Sequence, residues 1–226
     1  MRAYFTTPTG YIFMAIFLAA AGFLFSLSTL QVMSSDISTY FQFLMYGYIV
    51  LIPLLTMKSF AEEKRMKTEQ LLLTAPVSLW GMVFAKFLAA FTMFFTTVAI
   101  SSLYYLVLGL YGEPNWAKII GCGVAMLLIG TCFIAVGLLV SSLTENQFVA
   151  AMCTMGVLLG LVVVAVINSI IDNYFVRTVL DWFSIYSRFG NFTNGVFDFA
   201  SILYYVSIAA VCLFLTVRVY EKRRFA

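Results

Sequence analysis

The chain is a succession of apolar runs, at about residues 10–33, 40–57, 79–110, 116–140, 147–167 and 201–219, parted by short polar stretches. A helix needs about 20 such residues to cross a hydrocarbon core about 30 Å thick. Hydrophobic residues make up 63% of the chain and charged ones 10%. A soluble domain of 226 residues could not hide that much apolar surface, so the solvent must be lipid. The expected fold is an all-α polytopic membrane protein, one domain over residues 1–226 with six transmembrane helices. Residues Gly10–Met33 are too long for the core of a signal peptide and read as a retained span. Tyr4 and Phe5, ahead of it, suit an interfacial foot. Pro53 falls near the far end of span two, and span three is longer than a bilayer requires.

Charge is concentrated in one place. Seven formal charges lie between Lys58 and Glu69, on the stretch that joins spans two and three. Glu63 with Lys67, and Arg65 with Glu69, are opposite charges four residues apart, the spacing that supports a helix. Leu71, Leu72 and Leu73 continue it with apolar residues, Pro76 stops it, and Ser78 is placed to cap the next helix. A solvated loop would not need that order of residues. The order favours a short surface helix that docks on a cytosolic partner through Glu62, Glu63, Lys64, Arg65, Lys67, Thr68, Glu69, Leu72 and Pro76.

A second unusual stretch, residues 168–199, carries Asp172, Arg177, Asp181, Arg188 and Asp198 among many aromatic residues. Aromatic density with scattered charge fits short interfacial or re-entrant helices between spans five and six. Trp182, Phe183, Tyr186 and Phe189 would form an outer interfacial cap. With six spans and both termini inside, ten basic residues face the cytosol and three face outward, Lys118, Arg177 and Arg188. That asymmetry sets the orientation.

The residues offer little to chemistry. There is no histidine, no phosphate-cradling G-x-x-x-x-G-K-[ST] and no H-E-x-x-H. The four cysteines all fall in apolar runs and read as small buried hydrophobes, not as metal ligands. The mid-span positions carry no acid, which speaks against an ion-coupled carrier. Lys58 and Lys86 lie near cytosolic span ends, where their ammonium groups could reach water. Gly123, Gly130 and Gly137, and the pair Gly156 and Gly160, would let helices approach closely, with packing inside the chain favoured over a dimer contact.

The string from Met57 to Ser78, M-K-S-F-A-E-E-K-R-x-x-T-E-x-L-L-L-T-A-P-V-S, resembles the first cytosolic loop of ABC type-2 exporter permeases. The subgroup it most resembles is the gliding-motility (Gld-type) permease subunit. The N-terminal Y-F-x-x-P-x-G-Y-I-F and the late F-x-x-F-x-x-G-V-F-D-F-A-S-I-L-Y-Y are similar to that family's first and last spans. The family usually has Gly-Thr before the glutamate. Here Lys67 precedes Thr68 and Glu69, and lysine is the better helix former.

The resemblance implies a cytosolic coupling helix between spans two and three, resting in a groove of an ATPase subunit. It implies two ATPase copies that bind ATP and Mg, with no cofactor on this chain, which would not itself be an enzyme. A second permease copy or a related permease, the lipid bilayer and a Gld-type accessory membrane protein are the other implied partners, with no nucleic acid. The implied location is the bacterial cytoplasmic (inner) membrane. A non-transporting scaffold for an envelope or motility assembly, and an ion-coupled secondary carrier, are the alternatives.

Overall fold

The computed structural model describes residues 8–32, 36–68, 78–112, 114–170, 185–193 and 198–224. Helix α1 runs Pro8–Phe25 and ends in a π-helical turn, Ser26–Leu30. It is followed by α2 (Ser38–Arg65), α3 (Leu79–Ser101), α4 (Leu103–Tyr111), α5 (Trp116–Leu143), α6 (Gln147–Ile170), α7 (Ile185–Thr193) and α8 (Phe199–Arg224). Among the described residues all regular structure is helical, and six helical stretches are long and apolar enough to cross a membrane.

Helix α5 is the centre of the bundle. It packs against α8, α2, α6, α7 and α3, and more of its apolar length is buried than that of any other span. Lipid is as apolar as leucine, so helix association in a bilayer relies on close packing and polar contacts. Two glycines of α5 supply the closeness. A Cβ at Gly130 would run into the Phe94 ring of α3, and one at Gly137 would overlap the Thr56 hydroxyl of α2. Gly123, Gly156 and Gly160 have nothing within 4 Å of the corresponding position. The expectation of close packing within the chain therefore fails for Gly123, Gly156 and Gly160 among the described residues.

Span three is two pieces. Helix α3 ends at Ser101 and α4 begins at Leu103, with Tyr105 N donating to Ser102 O across a tighter turn. Hydroxyls crowd the approach. Thr92, Thr96, Thr97, Ser101 and Ser102 each donate to a carbonyl three or four residues back, a pattern that loosens and bends helices. The two pieces together make a 32-residue apolar stretch, longer than a bilayer requires, as the sequence showed. Beyond the turn Tyr104 donates to Leu18 O of α1 at 3.1 Å. The rings of Tyr105, Tyr40 and Phe41 pack together, as do those of Phe17, Tyr48 and Phe94.

The two ends of the bundle differ in charge. Lys64, Arg65 and Lys67 mark one end, joined by Lys222, Arg223 and Arg224 from the last turn of α8. This is called the basic end here. At the opposite end Lys118, in the first turn of α5, binds Asp36 at 2.8 Å. Asp36 also accepts from the Ser38 amide and hydroxyl, at 3.1 and 2.8 Å, and so holds the start of α2. These contacts, the Lys118 hydrogen bond first, hold the Asp36 carboxyl down at about 2.

Candidate functional site

Helix α2 does not stop where its apolar run stops. It continues from Met57 through Arg65, so Lys58, Glu62, Glu63, Lys64 and Arg65 sit on the extended end of a span. Local sequence explains the continuation. Alanine, glutamate, lysine and arginine are strong helix formers, and the cations Lys64 and Arg65 complement the negative end of the helix dipole.

The end itself is a Schellman motif. Met66 is the C-cap, Lys67 has φ 56°, Lys67 N donates to Lys64 O, and Thr68 N donates to Glu63 O. The left-handed residue after the C-cap is usually glycine, since a Cβ crowds the backbone there. This corrects the reading of Lys67 as a helix-favouring replacement. The position lies just past the helix, where glycine suits the backbone better than lysine does.

Lys86, well inside α3, reaches back to this end of α2. Its ammonium forms an ion pair with the Glu63 carboxylate, donates to Ser59 O at 2.5 Å and lies 4.1 Å from the centroid of the Phe60 ring. The Lys86 side chain keeps only 17% of its exposure. Lys86 therefore does not reach outward to water as the sequence led us to expect. A carboxylate in the last turn of a helix opposes the dipole, and the Lys86 cation offsets that cost. Glu63 is thereby paired within the chain and not with Lys67.

A third helix joins the same segment. Ser141 of α5 accepts from the amides of Phe60 and Ala61, at 3.2 and 3.1 Å, and donates to Met57 O at 3.3 Å. A hydroxyl set into a helix ladder is a recognised cause of local bending. Phe60 also packs on the Tyr220 ring of α8, with centroids 5.1 Å apart. Residues 57–63 of α2 are thus tied to α3, α5 and α8 together.

The expected site residues divide as follows. Glu62, Arg65, Lys67 and Thr68 are exposed, Glu63 is half-buried and Lys64 is buried against the bundle. Glu69, Leu72 and Pro76 lie outside the described residues, as do Trp182 and Phe183 and the foot at residues 1–7. Ser78 caps α3 as expected, accepting from Gly81 N at 3.2 Å. Tyr186 falls within α7.

Phe189, expected in an interfacial cap, is a fully packed side chain. It lies on α7, a helix that rests on α5 and α6 at the opposite end of the bundle. Tyr205 of α8 anchors α7 by donating to Ile185 O at 2.8 Å. Three cysteines are buried, whereas Cys153 is exposed on α6. Among the described residues no group of three or more acids, cysteines or histidines could hold a metal ion.

Sequence reasoning missed Ser141, Ser59 and the partnership of Lys86 with Glu63. A lysine and a serine in apolar runs were the available signals, but their partners are distant in sequence.

A family model described as "ABC-2 family transporter protein" matches residues 20–224. No curated protein and no solved structure matches the chain.

Proposed function

The chain belongs to the ABC-2 family of transporter proteins, and on that premise we propose that the basic end of the bundle is where its ATPase partner acts. Membership makes it a multi-pass membrane protein and a permease subunit of an ABC exporter, with an ABC ATPase as the implied partner. The observation that supports the finer reading is the tie between Glu63 of α2 and Lys86 of α3. A partner that displaces the exposed end of α2, at Glu62, Arg65, Lys67 and Thr68, would move α3 with it. ATP and Mg would bind on the ATPase, and this chain would carry their effect into the membrane.

The excess of basic residues supports placing this end, and both termini, in the cytosol of a bacterial inner membrane. Two ATPase copies and a second permease chain would complete the exporter. A Gld-type accessory membrane protein fits the loop resemblance described above.

Affinity purification of the tagged chain from its native membrane, followed by reconstitution, tests the reading. An ABC ATPase should co-purify, and substrate should move only with ATP. ATP turnover without vectorial movement of any compound favours a scaffold. Gradient-driven flux by this chain alone, with no ATPase recovered, favours a carrier and overturns the proposal.

A further inference from the structure

A groove of about 490 Å³ opens between α3 and α8, walled by Trp80, Val83 and Phe84 on one side and Val211, Leu213 and Phe214 on the other. Its walls are apolar nearly throughout. Trp80 and Phe214 bridge it with their rings 6.0 Å apart. Trp80 is the second residue of α3, so the groove lies just inside the basic end.

The α8 wall does not end in neutral residues. Phe214, Arg218 and Lys222 follow one another at four-residue spacing and share a helix face. The Arg218 guanidinium lies 5.1 Å from the Phe214 ring centroid and binds Glu221 at 2.9 Å. Arg218 is thus paired with one carboxylate, and Lys222 adds a second cation on the same face beyond the apolar slot. Arg218 stands one helical turn, about 6 Å, beyond the slot, which is the offset between an acyl chain and its phosphate level.

We propose that this groove binds an anionic phospholipid of the leaflet at the basic end, with an acyl chain along Val83, Phe84 and Val211 and its phosphate at Arg218 and Lys222. Trp80 would stand at headgroup depth, where tryptophan is favoured. A second copy of the chain is the poorer occupant. In the same membrane its own basic helix end would arrive at the same depth and set like charges together. The inference needs only that the chain spans a membrane, and not that an ATPase drives it.

The test uses the full chain with Trp116→Phe and Trp182→Phe, which leaves Trp80 as the sole indole of the three tryptophans. In vesicles, Trp80 fluorescence is quenched by lipids with brominated acyl chains, either phosphatidylglycerol or phosphatidylcholine, at equal mole fraction. Phosphatidylglycerol should associate about fivefold more strongly, the effect of one basic side chain near an anionic surface. Arg218→Gln should lower that preference to near unity. Ala210 also lines the slot, so Ala210→Leu narrows it with every charge kept and should weaken quenching by both lipids. Equal quenching by the two lipids, a preference that survives Arg218→Gln, or quenching unchanged in Ala210→Leu would each overturn the proposal. Weak quenching by either lipid together with a dimeric mass would assign the groove to a second copy and overturn it equally.

Discussion

Glu63 near the end of α2 is joined to Lys86 inside α3, and the pair is shielded by the Phe60 ring beneath the ammonium. Neither side chain is more than a third exposed, so solvent screens the contact less than it would a surface pair. Glu63→Gln and Lys86→Met should each destabilise the bundle. The double variant should cost less than the sum, with a coupling energy of about 1–2 kcal/mol. Denaturant titration in mixed micelles measures it, and strict additivity would show that the pair contributes nothing. In a complex with an ATPase, either single variant should hydrolyse ATP with reduced transport.

Lys67 adopts a left-handed backbone that glycine adopts without strain. Lys67→Gly should therefore stabilise the end of α2 by up to about 1 kcal/mol, and Lys67→Val should destabilise it. Hydrogen exchange at the Thr68 amide, which donates to Glu63 O, reads the effect directly. Slower exchange is expected in the glycine variant and faster in the valine one. The result separates a helix-end role for this position from one in the helix interior, where glycine would be the worse residue.

Gly137 admits Thr56 at the contact of α5 with α2. Gly137→Ala should cost about 1–3 kcal/mol by forcing those helices apart. Adding Thr56→Ala removes the hydroxyl and methyl that clash and should recover part of the loss. The same titration reports both. A neutral Gly137→Ala would mean that the contact yields easily.

Asp36 gives a pH prediction for the opposite end. Its carboxyl is held at about 2 against an ordinary 3.8. A lowered value means that the contact's contribution is fully present above the ordinary value and is lost as pH falls through about 2. Protection of the Ser38 amide, corrected for intrinsic exchange, should stay flat from pH 8 to about 4 and fall only below that. Lys118→Met removes the largest cause and should move the loss upward in pH.

The six spans were legible because a bilayer demands long apolar runs, and such runs leave a plain record in composition. Their ends were less so. Charge was read as the end of span two, whereas Glu62 to Arg65 are helix formers and continue it. The glycine expected at that place from the loop resemblance was the one clue to the backbone at Lys67. The partners of Lys86 could not be read at all, since a lysine in an apolar run looks the same whether it reaches water or a carboxylate on the next helix. The same holds for Ser141, whose hydroxyl meets α2 only after the chain has folded.

The turn at Ser102 leaves span three with a long piece and a short one. The 23 residues of α3 make a rod about 35 Å long, held to α2 through Lys86, about two turns in from its start. Past the turn, Tyr104 fastens α4 to α1. The Phe94 ring of α3 meets Phe17 of the same α1, so one helix holds span three on both sides of the turn and registers the two pieces against a single support.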